Sequence, residues 1–426
     1  MTALLVTFLV LLLINAPIAF VIGGAGMAWF MDAGRNLDVL AQYVITQTQS
    51  IAFLAVPFFI FAGNLMNRTG ITRNLINFSR LLTRRMVGGI AQVSVLLSTL
   101  MGGVSGSAVA DASMEARILG PEMIKRGYPG GYAAGVICLT SLITATIPPS
   151  LGLILYGFVG GVSIGKLFVA GIVPGIMMMA ILMFTVHVTS KRRGFDLPAP
   201  GAKRPSWKEI WAALKTSIWA LIFPIILIVG IRFGLFTPTE AGAFAVVYAL
   251  LVGKFVYKEL TWKGFLAALK DSFIDNGGII LIIAMSGIFG KALTILDAPG
   301  FFTGFLFGLT SNPQILMVLL MLLLVVLGMF IDSNVNILLI TPIVLPVLSR
   351  MGVDPVHFGI CMMTIVTMGC MTPPVGTALY TVCDILDVPI EEYFKETLPF
   401  YAAIIVLVLI MVFIPNVIMW LPNLLY

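Results

Sequence analysis

The sequence has few charged side chains for its length. Only 10% of its 426 residues are Asp, Glu, Lys or Arg, whereas 59% are hydrophobic. A soluble globular domain carries roughly 25% charged residues, because its surface faces water. This composition excludes a water-soluble domain and indicates that lipid solvates much of the chain. The length allows about ten to twelve membrane spans of ~20 residues.

Cysteine and histidine are also scarce. The two histidines, His187 and His357, are far apart in the sequence, and no CxxC pair occurs. We therefore expect no transition-metal centre, and we expect inert buried thiols. The four cysteines lie in or beside apolar segments: Cys138, Cys361, Cys370 and Cys383.

A nucleotide-binding motif is missing as well. Gly160, Gly165 and Lys166 have the GxxxxGK spacing, but the next residue is Leu167, where a P-loop has Ser or Thr. No Walker-B strand pattern surrounds this segment. We predict no ATP, no organic cofactor and no enzymatic activity. Because the basic residues lie in a few loops and not on one face, we also expect no nucleic-acid partner.

The apolar residues form a series of segments, which predicts an all-α polytopic membrane protein. The segment 191–214 is rich in Lys, Arg and Pro and divides the chain nearly in half, so the positive-inside rule places it in the cytoplasm. Residues 68–86 interleave Arg with apolar residues, which predicts an amphipathic arm helix on the cytoplasmic surface. The apolar segments are 2–31, 45–66, 89–118, 130–160, 166–190, 215–235, 238–256, 275–297, 313–349, 355–386 and 397–421.

The two halves share the spacing of residues that shape the backbone. A shift of 225 residues superposes Gly103 on Gly328 and Pro148-Pro149 on Pro373-Pro374. Gly and Pro fix backbone geometry, so their shared spacing predicts an internal repeat. The first repeat spans 1–190 and the second spans 215–426.

The distribution of basic residues predicts that the two repeats have opposite orientations. The segment 89–126 lies between two cytoplasmic segments, so it must be a re-entrant hairpin that enters from the cytoplasm (hairpin one). Four lysines make 254–272 cytoplasmic, so the matching hairpin at 313–349 enters from the outside (hairpin two). Such inverted-topology repeats recur in secondary transporters. The arrangement requires 2–31 to break near residues 15–17, and it places the N-terminus in the periplasm.

Two of the predicted spans are interrupted. We expect 130–160 (broken span one) to break at 144–150, and 355–386 (broken span two) to break at 369–377. Adjacent prolines leave nearby carbonyl oxygens without helical partners, and within a membrane another group must bind them. Such oxygens suit a cation, and half-helix N-termini suit an anion. We predict one Na⁺ at each hairpin and broken span, with the substrate between them. Our substrate candidates are Ser150, Ser333, Asn334, Asn336 and Thr377.

Three stretches carry a resemblance to a known family. They are GGVSGSAVADASMEARILGPEMIKRGYPGGYAAGV (102–136), TATIPPSLGLILYG (144–157) and MTPPVGTALY (371–380). They resemble the large membrane subunit of TRAP (tripartite ATP-independent periplasmic) transporters of the bacterial inner membrane. The resemblance implies a scaffold with a mobile elevator domain and Na⁺-coupled uptake of organic-acid anions. It also implies a small four-helix membrane subunit and a periplasmic binding protein as partners.

The resemblance also implies which residues bind Na⁺. One site takes Gly103, Ser105, Ser107, Thr144, Thr146 and Pro148, and the other takes Gly328, Asp332, Gly369, Thr372 and Gly376.

Several alternatives remain at this point. Small residues at 102–107 also allow close helix packing, and Asp111 and Glu115 are either ligands or charges near a helix N-terminus. A one-component Na⁺/carboxylate symporter would have a similar sequence pattern. A channel is a remoter alternative, as is an intramembrane protease, since Asp332 lacks a GxGD context. Sialic acid, C4-dicarboxylates and other organic acids all remain as substrates.

Overall fold

The chain folds as a bundle of helices in a computed structural model. The structure describes residues 2–14, 16–197, 205–297, 300–301, 304, 308, 310 and 312–426, and these contain no strand. The predicted all-α membrane fold is confirmed. In lipid the backbone must satisfy its own hydrogen bonds, which favours helices wherever apolar residues form long segments.

Twelve helices make up the first half. The segment 2–31 divides at residues 14–17 into α1 and α2, as predicted, although Asn15 itself lies outside the described residues. A short 3₁₀ helix, Ile51–Leu54, precedes α4. The bounds are α1 Thr2–Leu13, α2 Ile18–Asp32, α3 Asp38–Thr48, α4 Ala55–Met66, α5 Ile71–Thr83, α6 Gly89–Gly102, α7 Ala108–Ile118, α8 Gly120–Lys125, α9 Gly130–Thr140, α10 Leu142–Thr146, α11 Leu151–Gly160 and α12 Ile164–Arg193.

The second half begins after the polar segment at the middle of the chain. Helix α12 continues to Arg193 and the next helix starts at Trp207, so the non-helical part is shorter than 191–214. A π-helical turn, Val252–Val256, follows the second helix of this half. The helices are α13 Trp207–Arg232, α14 Pro238–Leu251, α15 Trp262–Ile295, α16 Pro313–Phe330, α17 Ser333–Arg350, α18 Pro355–Gly369, α19 Thr377–Leu386, α20 Ile390–Phe413 and α21 Asn416–Leu425.

Seven helices in the described ranges are long and apolar enough to cross a membrane, and up to eight if one bent pair counts as a single span. This number is below the ten to twelve that the length allows. The reason is that several apolar segments are divided into helices of 10–17 residues, which are too short to cross alone.

The divided segments are those in which the sequence predicts hairpins and breaks. Hairpin one consists of α6 and α7 with a turn at 103–107, and hairpin two consists of α16 and α17 with a turn at 331–332. Broken span one bends by 46° between α9–α10 and α11. Broken span two is interrupted between α18 and α19. The opposite membrane orientation of the two repeats, and the domain boundaries, stay predictions.

The first helices of the two broken spans lie in the core. Every residue from Gly131 to Thr140 in α9 is buried, and so is every residue from Val356 to Gly369 in α18. Helices buried on all sides are typical of the centre of a bundle. The first interruption is likewise buried at Pro148, Pro149 and Ser150, whereas the second is partly exposed, at Pro374 and Val375.

Helix α5 corresponds to the predicted arm. Its apolar face, with Ile71, Leu75 and Ile76, is buried against α6 and α13. Arg80 extends from the same helix and forms an ion pair with Glu122 of α8, with Nη2 2.6 Å from Oε2. The arm is thus attached to the base of hairpin one.

Candidate functional site

The tip of hairpin one touches the break in broken span one. Gly106 has a φ of +63°, and a Cβ at this position would lie 2.2 Å from the carbonyl oxygen of Pro149. The amide of Leu151 donates a hydrogen bond to the carbonyl of Gly106 at 3.4 Å. Glycine is required here by both the left-handed backbone and the close approach. The two interrupted segments therefore meet backbone to backbone.

Asp111 lies beside this contact, in the first turn of α7. It is fully buried, and neither carboxylate oxygen has a hydrogen-bond partner among the described residues. The hydroxyls of Ser105 and Thr144 lie close enough to interact with it, although Thr144 Oγ1 donates to the carbonyl of Ser98 at 2.9 Å. Burying an unpaired, negatively charged carboxylate costs free energy unless a positively charged group binds it.

These residues fit a hard monovalent cation. One carboxylate, two hydroxyls and the nearby broken backbone provide only oxygen donors, which hard cations prefer. No group of three or more His, Cys, Asp and Glu in the described ranges could hold a metal ion. Asp111 was not among the residues assigned to a cation site from the sequence, although an acidic residue in so apolar a chain was a usable signal.

Glu115 follows Asp111 by one helical turn and has a different environment. Its carboxylate accepts hydrogen bonds from Ser94 Oγ at 2.5 Å and from Ser98 Oγ at 2.8 Å. Both serines also contact Thr140 Oγ1, at 2.9 and 3.3 Å. All four side chains are fully buried. Glu115 thus joins the two helices of hairpin one, α6 and α7, and the two serines connect this pair to α9 of broken span one.

Replacement of Glu115 tests this role. We expect Glu115→Leu to lower the free energy of unfolding by about 1–3 kcal/mol, because it leaves buried serine hydroxyls without an acceptor. Glu115→Gln keeps an acceptor oxygen and should cost less. Thermal unfolding in detergent measures the difference, and equal losses in the two variants would contradict the proposed hydrogen-bonding role.

Hairpin two contacts broken span two in the same manner. A Cβ on Gly328 would lie 2.8 Å from the carbonyl oxygen of Val366 and 3.0 Å from the Cα of Gly369. Gly376 donates its amide to the carbonyl of Met329 at 2.9 Å, and its φ is +30°. The structure thus brings together Gly328, Gly369 and Gly376, three of the five residues predicted for the second cation site.

The other two predicted residues of this site have local partners. Thr372 Oγ1 donates to the carbonyl of Met368 at 2.7 Å. Asp332 is half-buried and caps α17 by accepting from the amide of Asn334 at 2.9 Å. Both retain free acceptor capacity, because a threonine hydroxyl and a carboxylate each have several lone pairs.

Two tyrosines of α20 fix the backbone at the second break. The hydroxyls of Tyr393 and Tyr401 both donate to the carbonyl of Met371, at 2.8 and 2.5 Å. The carbonyl of Cys370 accepts from the amide of Ala378 at 3.1 Å. Some of the carbonyls released by the break are therefore already bound, and sequence reasoning did not identify these tyrosines.

The remaining residues predicted for the first cation site lie at its edges. A Cβ on Gly103 would meet the side chain of Pro224 in α13, so this glycine allows close helix packing. The hydroxyl of Thr146 donates to the carbonyl of Leu142 at 3.1 Å. Its carbonyl lies against Gly171 of α12. Pro148 lies in the break, and the bond between it and Pro149 is cis, as is Pro373-Pro374.

A cavity of about 380 Å³ opens beside the tip of hairpin one. Ser105, Ser107 and Asn334 line it, so both hairpins contribute to it. Asn64 of α4, Asn67 directly after α4 and Asp275 of α15 line its other side and were not predicted. Of the five substrate candidates only Asn334 lines this cavity. The others lie elsewhere: Ser150 caps α11, Ser333 and Asn336 are buried in α17, and Thr377 is exposed at the start of α19.

Solved structures with a similar fold are transporters. The YdaH transporter of Alcanivorax borkumensis matches with a TM-score of 0.66 at 12% identity, covering 88% of each chain. MtrF of Neisseria gonorrhoeae, described as an antimetabolite efflux pump, matches with a TM-score of 0.59 at 14% identity, covering 90% of this chain and 86% of its own. At these identities the likeness concerns the fold alone.

Sequence comparison is more specific. The 2,3-diketo-L-gulonate TRAP transporter large permease YiaN of Escherichia coli is 34% identical, covering 95% of each chain. The sialic acid TRAP transporter large permease SiaM of Vibrio cholerae is 34% identical, covering 97% of this chain and 96% of its own. The family described as "Tripartite ATP-independent periplasmic transporter, DctM component" matches residues 5–417. The chain therefore belongs to the DctM family and is a TRAP transporter large permease, a multi-pass membrane transport protein and not an enzyme.

Proposed function

We propose that this permease couples the inward movement of Na⁺ to the uptake of an organic-acid anion across the bacterial inner membrane. The observation that carries the proposal is the unpaired carboxylate of Asp111 at the junction of a hairpin tip and a helix break. Ser105 lies next to this carboxylate and also lines the cavity. A cation bound by Asp111 would thus lie next to the cavity for the anion. Because Ser105 belongs to both sites, binding of the cation would affect binding of the anion.

The coupling is favourable by simple arithmetic. Each net positive charge that moves inward gains ~2.3 kcal/mol per 100 mV of membrane potential. Two Na⁺ carried with one monoanion would make uptake electrogenic and concentrative. Before the cation binds, the unbalanced negative charge of Asp111 disfavours the close contact between the tip of hairpin one and broken span one. After it binds, the charge of the carboxylate is balanced, and the hydroxyls of Ser105 and Ser107 are held in place for the anion.

We propose that the hairpins and broken spans move together as the mobile domain of an elevator. The backbone contacts at Gly106–Pro149 and Gly328–Gly369 support this, because they join each hairpin closely to its broken span. The remaining helices would form the scaffold, with the N-terminus in the periplasm. Charges of the arm would remain at the cytoplasmic surface in contact with the lipid bilayer.

The partners follow from the family. We propose a small four-helix membrane subunit and a periplasmic substrate-binding protein. One relative, the isethionate TRAP transporter permease DctMQ of Oleidesulfovibrio alaskensis, is a longer chain of which the match covers 64% at 34% identity. The relatives named above are described with sialic acid, 2,3-diketo-L-gulonate and isethionate, which supports an organic-acid anion here.

Uptake into proteoliposomes tests the proposal. Purified permease with its small subunit should accumulate substrate in the presence of an inward Na⁺ gradient and binding protein, but not when K⁺ replaces Na⁺. Uptake that needs no binding protein would instead favour a one-component symporter.

Thr372→Ala probes the second cation site in the same assay. We expect a several-fold higher Na⁺ concentration for half-maximal uptake, because a hydroxyl ligand is lost. Unchanged Na⁺ activation would remove Thr372 from the site.

A further inference from the structure

A second cavity lies further along α15 than the cavity beside hairpin one. It measures about 410 Å³ and is lined mainly by residues of α3, α11, α15 and α17. In the proposed elevator, α3 and α15 belong to the scaffold, whereas α11 and α17 belong to the mobile domain. The cavity therefore lies at the boundary along which the two domains would slide. We call it the outer cavity, because α15 is predicted to run from the cytoplasm towards the periplasm.

The two cavities lie along one face of α15. Ile279 lines the cavity beside hairpin one, and Gly290 lines the outer cavity. These two residues are eleven positions apart, which corresponds to about three helical turns and ~16 Å along the helix axis. A mobile domain that moved outward by this distance would carry the hairpin tips from the level of one cavity to the level of the other.

The outer cavity offers positive charge and hydrogen-bond donors. Lys291 is the only charged side chain among its described lining residues. The Nζ of Lys291 lies 5.8 Å from the ring centroid of Tyr43 in α3, and this lysine forms no ion pair with any described residue. Gln47 and Ser50 add an amide and a hydroxyl to the lining. An anion that entered would therefore find a counter-charge and donors.

The scaffold presents the opposite charge at the inner level. Among the described residues that line the cavity beside hairpin one, Asp275 is the only ionisable side chain. A fixed positive charge attracts an anion and a fixed negative charge repels it, most strongly where the walls of a cleft exclude water. Along α15, the scaffold thus attracts an anion at the outer cavity and repels it at the inner one.

We propose that Lys291 draws the transported anion into the outer cavity and positions its acidic group there, before the mobile domain carries the anion inward. At the inner level the like charge of Asp275 weakens binding and favours release. This inference rests on the proposed function, since it assumes that the substrate is an anion and that the hairpins move relative to α15.

Reaction of an introduced thiol measures the attraction of anions directly. Thr46→Cys is suitable, because Thr46 is exposed on α3, lines the outer cavity and faces Lys291 from another helix. The four native cysteines are buried and should not react. Right-side-out vesicles with permease and small subunit are treated with methanethiosulfonates that carry either a sulfonate or a trimethylammonium group. Addition of Lys291→Gln should lower the ratio of the sulfonate rate to the ammonium rate about tenfold.

Lys166→Gln is the matched control. The Nζ of Lys166 also lies 5.8 Å from a tyrosine ring centroid, that of Tyr426, and Lys166 is exposed without an ion pair to any described residue. It lines a different cavity, so the rate ratio at position 46 should stay unchanged. Lys291→Arg should preserve the ratio, since it keeps the charge. If Lys291 only anchored the end of α15 at the membrane surface, Lys291→Gln would leave the ratio as it was, which would overturn the inference.

Uptake into proteoliposomes tests the role in transport. The probes are N-acetylneuraminate, 2,3-diketo-L-gulonate and isethionate, each supplied on a binding protein that carries it. Lys291→Gln should raise the concentration of loaded binding protein at half-maximal uptake about tenfold. The Na⁺ concentration at half-maximal uptake should stay as in the wild type, which a general loss of folding would not produce. Lys166→Gln should change neither concentration.

The outcomes separate the two proposals. If uptake requires Na⁺ but Lys291→Gln and Lys166→Gln behave alike, the inference fails and the proposed function stands. If none of the three acids is taken up in a Na⁺-dependent manner, the proposed function fails, and the thiol reaction still shows whether Lys291 attracts anions to the outer cavity.

Discussion

Asp111→Asn should abolish Na⁺-dependent uptake while leaving the protein folded. The carboxylate is fully buried and has no hydrogen-bond partner among the described residues, so its charge is available for a cation. Removal of one partner from a buried charge pair typically costs 3–5 kcal/mol, which corresponds to a loss of about 100-fold or more in Na⁺ affinity. Asparagine has nearly the same shape and keeps one oxygen, so steric disruption is small.

Two measurements distinguish this effect from misfolding. In the absence of Na⁺ the variant should be at least as thermally stable as the wild type, because an unpaired buried charge has been removed. Added Na⁺ should raise the unfolding temperature of the wild type but not that of the variant. Asp384→Asn is the control, since Asp384 is exposed on α19. Full Na⁺ stabilisation of Asp111→Asn would refute a cation role for this residue.

Gly106→Ala should cause the second large effect, a loss of uptake through separation of hairpin one from broken span one. A Cβ at Gly106 would lie 2.2 Å from the carbonyl oxygen of Pro149, so the backbones must move apart. The left-handed backbone adds about 1–2 kcal/mol for alanine. Overpacking adds typically 1–3 kcal/mol. Because the contact adjoins Asp111, even a small displacement should weaken Na⁺ activation.

Gly161→Ala is a matched control for the free-energy cost of placing alanine at a left-handed backbone position. Gly161 has a φ of +64°, almost that of Gly106, but a Cβ there would meet no atom within 4 Å. It should therefore show only the conformational cost and should retain uptake. Equal effects of the two substitutions on uptake and on unfolding temperature would show that the close contact with Pro149 is unimportant.

Much of the architecture could be predicted from local sequence. Low charge and long apolar segments determine a helical membrane protein, because unpaired backbone groups are not tolerated in lipid. The Pro148-Pro149 and Pro373-Pro374 pairs locate the two breaks, since proline cannot continue the hydrogen-bonding pattern of a helix. The turn of hairpin one follows from clustered Gly and Ser at 102–107. The family was recognisable from the same stretches, and the match over residues 5–417 confirms it.

The residues that form the site were harder to predict from the sequence. The family resemblance implied cation ligands at Ser105 and Thr144, and the structure places both near Asp111. It left Asp111 and Glu115 undecided, although they lie four residues apart on one helix. Their difference depends on neighbours from other helices, since Ser94 and Ser98 of α6 donate hydrogen bonds to Glu115, whereas neither carboxylate oxygen of Asp111 has a hydrogen-bond partner among the described residues.

The sequence by itself determined the class of the protein, the number of interruptions and their positions, because these depend on residues close together in the chain. Only the tertiary structure determined which residues from distant segments contact each other at the interruptions. Asn64 and Asp275 are 211 residues apart in sequence, yet their side chains are hydrogen-bonded at one wall of the cavity. Close approach of the backbones at Gly106 and Gly328 likewise depends on how the helices pack. Periodicity and turn residues act locally, whereas the site is formed by contacts between distant segments.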